Sequence, residues 1–82
     1  MLIKLLYFAV TRELVGRSEE EISLPPGVRL VADLPAFLAR HAPPLAGRLG
    51  QIRLARNEAF AEPDEVLAEG DVIALIPPVA GG

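Results

Sequence analysis

The amino-acid sequence predicts an α+β fold in which a mixed β-sheet carries its helices on one face. Two observations predict this class. The chain contains two strongly apolar, strand-like segments, residues 1–9 ("MLIKLLYFA") and Val72–Ile76 ("VIALI"), and one segment of helical periodicity lies between them. Because these two strand-like segments are the most apolar in the chain, we expect them at the centre of the sheet.

The first predicted strand, residues 1–9, has two apolar faces. One face carries Ile3, Leu5 and Tyr7, and the residues that alternate with them are Leu2, Lys4, Leu6 and Phe8. A sheet that packs helices on one side needs only one apolar face for its core. We therefore expect one face of this strand to meet the core and the other to be free for another contact.

The connection to the second strand is short. Residues 11–16 are typical of one helical turn, with Thr11 as its N-cap and Gly16 as its end. The second strand is predicted at residues 20–24, before Pro25-Pro26-Gly27. Since so short an element separates the first two strands, they are predicted to form an antiparallel hairpin.

The main helix is predicted within residues 31–42. Five side chains recur there at helical spacing on one face: Val31, Leu34, Phe37, Leu38 and His41. Pro35 fits only a first helical turn, so we expect the helix to begin near Asp33, with Asp33 as its cap, and to bury Phe37 and Leu38 in the core. The Pro43-Pro44 pair ends it.

The rest of the chain is predicted as strands and turns. A strand at residues 51–56 is followed by a turn at Asn57-Glu58, a short strand around Phe60 and the last strand, Val72–Ile76. The order of two strands, one helix and three strands predicts the ubiquitin-like β-grasp roll, a mixed sheet with central parallel first and last strands and one main helix packed on one face. We expect this domain to span residues 1–76, and residues 77–82 to form an extended C-terminal tail.

Composition excludes several classes of function. The 82 residues suffice for one domain, and the absence of Cys rules out disulfides, thiolate nucleophiles and a ferredoxin-like role. With a single His, His41, we expect no metal site and no permanently bound cofactor. The net charge of −3 argues against nucleic acid as a partner. No apolar run approaches the roughly 20 residues of a membrane span, so we expect no membrane contact and a cytoplasmic location.

The last six residues, "PPVAGG", have small side chains and are typical of an extended segment that a partner protein can bind. Pro77 and Pro78 stop the last strand and favour extended backbone, while Gly81 and Gly82 have no side chains and can thread a narrow channel. A carboxylate at Gly82 is a poor electrophile until a partner converts it to an acyl adenylate. Nothing else in the sequence has a catalytic pattern. An unstructured and inert end is the alternative interpretation.

Four motifs together resemble one known family. They are "IKLLYFA", "TRELVG", "EGDVIALIPPV" and the terminal Gly-Gly, and the resemblance covers residues 3–82, with the middle, residues 29–60, matching only in pattern. The chain is similar to the small subunit of molybdopterin synthase, the sulfur carrier of molybdenum-cofactor biosynthesis.

The resemblance implies a chemistry for Gly82. An ATP-dependent activating enzyme adenylates this glycine, so that AMP is transiently attached, and sulfur from a cysteine desulfurase or a rhodanese-type donor converts it to a thiocarboxylate. The tail then enters the large synthase subunit, in a heterotetramer of two large and two small subunits. Two sulfur transfers to cyclic pyranopterin monophosphate build the dithiolene of molybdopterin. On this interpretation the chain is a subunit and cosubstrate of a sulfurtransferase complex, without a catalytic site of its own.

The resemblance also assigns residues. Gly82 is the covalent site, Gly81 its spacer, and the threading tail is Pro77, Pro78, Val79 and Ala80. Arg12 matches a family arginine near the contact with the activating enzyme; the alternative is a solvated arginine beside Glu13. The partner-binding residues are expected on the sheet face away from the helix: Phe8, Leu6, Ala74 and Ile76. The family often has Phe in place of Ile76, and a core position for Phe8 is the alternative.

Three other functions stay open at this point. A thiamine-pathway sulfur carrier and a ubiquitin-like protein modifier share the predicted fold and the Gly-Gly end, although thiamine-type carriers are usually shorter and lack the double proline. A plain interaction module with an inert tail is the third. Removal of Gly82 distinguishes this module from a carrier, because only a carrier would lose its function.

Overall fold

The computed structural model describes residues 1–78, and within them five strands and two α-helices follow one another along the chain. The elements are β1 (Leu2–Tyr7), α1 (Val10–Val15), β2 (Glu19–Ser23), α2 (Leu34–His41), β3 (Arg53–Arg56), β4 (Ala59–Phe60) and β5 (Val72–Ile76). Short 3-10 turns lie at Val31–Asp33, Pro43–Leu45 and Leu49–Gln51. None of the helical segments in residues 1–78 combines the length and the apolar character that crossing a bilayer requires.

The five strands form one mixed sheet in the order β2-β1-β5-β3-β4. β1 and β2 pair as the predicted antiparallel hairpin, and β1 runs parallel to β5, with Leu5 beside Ile73 and Tyr7 beside Leu75. β3 pairs antiparallel with both β5 and β4. This is the β-grasp arrangement predicted from the sequence, with the first and last strands parallel at the centre.

The core lies between one face of the sheet and α2. Five side chains of the central strands are at most 2% exposed: Ile3, Leu5, Tyr7, Ile73 and Leu75. They cluster with Leu34 and Leu38 of α2. The predicted alternation in β1 is therefore confirmed, because Leu2, Lys4, Leu6 and Phe8 all lie on the other face and outside this cluster.

One polar cluster closes the edge of the core at β2. The Glu20 carboxylate accepts a hydrogen bond from the buried Tyr7 hydroxyl at 2.6 Å, lies 2.6 Å from Nε2 of His41 and accepts another bond from Arg17 at 2.9 Å. Burial alone would raise the pKa of Glu20, but these hydrogen bonds outweigh it and hold the pKa below its usual value. Burial and the Glu20 carboxylate together raise the pKa of Tyr7, which keeps the phenol protonated as a donor.

The start of α1 differs from the prediction. Ala9, with φ 50° and ψ −127°, occupies the N-cap position, and Thr11 lies inside the helix and is completely buried. The Thr11 hydroxyl bonds to Phe8 and not to a later N–H of the helix: it donates to the Phe8 carbonyl at 2.6 Å and accepts from the Phe8 N–H at 2.9 Å. The prediction of Thr11 as N-cap is wrong. Gly16 does end the helix, at φ 86°.

Other boundaries moved by a few residues. α2 begins at Leu34 with Asp33 at its N-cap position, as expected, but the Asp33 carboxylate accepts from the backbone N–H groups of Arg29 and Leu30 instead of those of the helix. These two bonds lower the pKa of Asp33.

The predicted strand at residues 51–56 begins only at Arg53, because residues 49–51 form a 3-10 turn. Leu38 is buried as predicted, whereas Phe37 is only half-buried and stacks on His41.

Candidate functional site

The face of the sheet away from α2 forms a shallow groove of about 560 Å³. β1 and β5 form its floor because their residues alternate between the core and this face, and the β3–β4 hairpin forms one wall. The groove is lined by seven apolar side chains: Leu6, Phe8, Ala55, Phe60, Val72, Ala74 and Ile76. We call this surface the outer groove.

Two aromatic side chains of the outer groove are about half exposed to solvent. Phe8 is 48% exposed and Phe60 is 53% exposed, at the two sides of the same groove. Contiguous apolar patches of this kind are typical of protein interaction sites. The guanidinium of Arg53 lies 3.5 Å from the centre of the Phe60 ring, so the aromatic wall also carries a positive charge.

The position of Phe8 depends on Thr11. The paired hydrogen bonds between the Thr11 hydroxyl and the Phe8 backbone fix the end of β1 where the chain turns into α1. The Phe8 side chain projects into the outer groove, and its alternative placement in the core is not observed. A buried threonine therefore positions an exposed phenylalanine.

The far end of the outer groove is the Asn57-Glu58 turn. Asn57 pairs with Val72 as a neighbouring strand residue would. Its backbone N–H donates to the Val72 carbonyl at 2.8 Å, and its side-chain oxygen accepts from the Val72 N–H at 2.9 Å. Its side-chain nitrogen donates to Asp71 at 3.0 Å. Burial raises the pKa of Asp71, but hydrogen bonds from the Ala68 N–H, Arg56 and Asn57 lower it by more. The net pKa is below the usual value, so this carboxylate stays ionised.

The opposite end of the outer groove leads to the tail. β5 ends at Ile76, which lines the groove, and Pro77 and Pro78 follow directly. The two prolines line a smaller cleft of about 340 Å³ together with Ala9, Val10, Arg48, Gln51 and Ile52. Val79, Ala80, Gly81 and Gly82 lie outside the described residues. Their predicted roles, and the domain boundary at residue 76, stay predictions.

The structure brings four of the five predicted partner-binding residues together. Phe8, Leu6, Ala74 and Ile76 all line the outer groove. Arg12 is exposed on α1 and does not line it. The roles of all five in binding stay predictions.

Sequence reasoning missed the wall of the groove. Ala55, Phe60, Asn57 and Glu58 reach it through the pairing of β3 with β5 and β4, which is a long-range property. The turn and the strand around Phe60 were both predicted. The missing signal was the face of β3, because Arg53, Leu54, Ala55 and Arg56 do not alternate clearly between apolar and polar.

The fold and the groove together define a ubiquitin-like β-grasp protein. Its apolar sheet face is exposed next to Ile76, where the segment that ends in Gly81-Gly82 begins. The chain belongs to the ThiS family, whose model matches residues 5–82. It is 37% identical to the molybdopterin synthase sulfur carrier subunit of Chlamydomonas reinhardtii, with 100% of each chain covered. The protein of that name from Escherichia coli K12 is also 37% identical, over 99% of this chain and 100% of the relative.

Solved structures agree with the fold. SAMP1 from Haloferax volcanii superposes with a TM-score of 0.85 at 29% identity, with 100% of both chains covered. A putative molybdopterin converting factor subunit 1 from Pyrococcus furiosus gives 0.82 at 33% identity, over 96% of this chain and 99% of the other. A chain of the complex between subunits 1 and 2 of the Helicobacter pylori molybdopterin-converting factor gives 0.71 at 26% identity, with 100% of both chains covered.

Proposed function

We propose that this chain is the sulfur carrier subunit of molybdopterin synthase and that Gly82 carries the sulfur as a thiocarboxylate. The observation that carries the proposal is the similarity to relatives named as this subunit, at 37% identity with 100% of this chain and of the relative covered. The thiamine-pathway carrier and the inert interaction module have no comparable support. SAMP1 shares the fold, at a lower identity of 29%.

The geometry supports docking and tail insertion as one event. The outer groove offers Phe8 and Phe60 to a partner, and β5 passes along the groove and continues into Pro77 and Pro78. A partner that covers the groove therefore also lies over the exit of the tail. We propose the large synthase subunit as this partner, in agreement with the Helicobacter pylori neighbour, which is described as a complex of subunits 1 and 2.

The chemistry requires two further partners. The Gly82 carboxylate attacks ATP in an activating enzyme, which releases pyrophosphate and leaves an acyl adenylate. The terminal sulfur of a persulfide on a cysteine desulfurase or a rhodanese-type protein then displaces AMP and forms an acyl disulfide. A thiol attacks this disulfide, releases the thiocarboxylate and leaves a new disulfide with the donor sulfur. The carrier itself holds no resident cofactor in this scheme, and its setting is the cytoplasm, where ATP is available.

The test begins with the intact mass of the protein purified from its own host without a C-terminal tag. We expect a fraction in which sulfur replaces one oxygen at Gly82, and conversion of cyclic pyranopterin monophosphate to molybdopterin when this fraction is mixed with the large subunit. A variant lacking Gly82 is the control, since it keeps the outer groove intact.

Two results would overturn the proposal. The first is a carboxylate that is never adenylated by the activating enzyme and ATP. The second is a thiocarboxylate that is inactive with the large subunit but supports thiazole formation, which would make the protein a thiamine-type carrier.

A further inference from the structure

The charges around the outer groove are separated along its length. Arg53 pairs with Ile76 in the sheet, and its guanidinium lies over the Phe60 ring on the wall of the groove. Glu58 lies at the far end of the groove, beside Val72. Lys4 is also near that end, but Glu19 compensates its charge at 3.5 Å. The outer groove therefore has a positive charge on its Phe60 wall and a negative charge at the Asn57-Glu58 turn.

Asn57 and Glu58 form the two-residue turn between β3 and β4, and their φ values of 50° and 73° are the positive pair that such a hairpin turn requires. Glycine adopts the conformation of Glu58 more easily than a residue with a long side chain does. Such a conformation persists only where its surroundings over-determine it. Here the three hydrogen bonds of Asn57 to Val72 and Asp71 hold the turn in place.

The Glu58 carboxylate contributes nothing visible to the stability of the fold. It is exposed, and among residues 1–78 no Lys, Arg or His lies within ion-pair distance of it. Glycine at this position would relieve the strain and keep the turn. An exposed carboxylate without an ion-pair partner among residues 1–78 therefore lies on a hydrogen-bonded turn at the rim of an apolar groove.

We propose that Glu58 is a specificity contact of the outer groove and pairs with a Lys or Arg side chain of the large subunit. The proposal rests on the proposed function for the identity of this partner. With a positive charge on the Phe60 wall and Glu58 at the turn, a partner of complementary charge is favoured in one direction along the groove.

The experiment measures Kd between the full-length carrier and the large subunit at low and high ionic strength. Glu58→Gln removes the charge and keeps the side-chain size, and Glu58→Gly also relieves the strain. Glu62→Gln is the matched control, because Glu62 is exposed and does not line the groove.

We expect Glu58→Gln to weaken binding about 3- to 5-fold at low salt, with the difference lost at high salt. Glu58→Gly is expected to weaken binding similarly although it raises the denaturation midpoint. The control should bind like the wild type. If Glu58→Gln also binds like the wild type while the wild type binds the large subunit, only the inference on Glu58 fails. If the wild type does not bind the large subunit at all, the proposed function fails with it.

Discussion

The two faces of the sheet are built from the same strands and have opposite properties. On the inner face, Leu5 and Leu75 are completely buried against α2. On the outer face, Leu6 and Phe8 alternate with the buried residues along the same strand and stay accessible to solvent. Hydrophobicity alone does not distinguish these faces. The difference shows that packing against α2, and not residue type, places the inner face in the core, while the apolar outer face stays exposed.

The largest expected effect breaks the inner face. Leu75→Ala removes a completely buried side chain and leaves a cavity, so we expect the free energy of unfolding to fall by about 2–5 kcal/mol. Denaturant unfolding followed by circular dichroism measures it. Leu6→Ala on the outer face is the matched control and should cost at most about 1.5 kcal/mol. Equal losses for the two variants would contradict the division of roles between the faces.

A substitution on the outer face is expected to have a smaller effect, and to change the affinity for the partner instead of the free energy of unfolding. Phe8→Ala should weaken binding of the large subunit about 10- to 100-fold, because an exposed aromatic side chain in a groove is a typical binding hot spot. The free energy of unfolding should change by less than about 1 kcal/mol. Isothermal titration calorimetry measures the first quantity and urea unfolding the second.

The matched control for Phe8 is another exposed apolar residue outside the groove. Val66 is 59% exposed and does not line the outer groove, so Val66→Ala should leave binding unchanged. A loss of affinity in both variants would mean that general surface hydrophobicity, and not the groove, controls the association.

The smallest expected effect concerns the polar edge of the inner face. Because the pKa of Glu20 is lowered in the folded protein, its contribution to stability is present above the unfolded-state value near 4.5 and is lost as the pH falls below it. Glu20→Gln should lower the free energy of unfolding by about 1 kcal/mol at pH 7. The gap between the variant and the wild type should shrink below about pH 4.5. A gap that stays constant from pH 7 to pH 3 in denaturant titrations would argue against the ionised Glu20 cluster.

The sequence was sufficient for the fold and for half of the groove. Strict alternation in β1 separates Ile3, Leu5 and Tyr7 from Leu6 and Phe8, and this pattern predicts both the core and the exposed floor. The remaining features depend on information that local patterns do not carry. Which face Ala55 and Phe60 occupy follows from the pairing of β3 with β5 and β4, and a pattern within one strand does not contain that pairing.

Two local errors have the same kind of cause. Thr11 has a good capping side chain, but Ala9, two residues earlier, is the N-cap and adopts a positive φ, so the helix begins before Thr11 and the Thr11 hydroxyl bonds to Phe8. Phe37 has helical spacing like its neighbours, yet it stacks on His41 at the margin of the core. In both cases a contact with a residue three or four positions away replaces the environment that the pattern predicts.

The strand that leads into the tail is bonded along both edges, to β1 on one side and to β3 on the other. A force applied to the chain beyond Ile76, along the axis of β5, loads both hydrogen-bond ladders at once in shear. Hydrogen bonds that break together resist a larger force than bonds that break one after another. If the tail followed the short edge strand β4 instead, the bonds would break one after another. Because β5 is held on both sides, we expect tension on the chain beyond Ile76 to leave the domain folded until both hydrogen-bond ladders break.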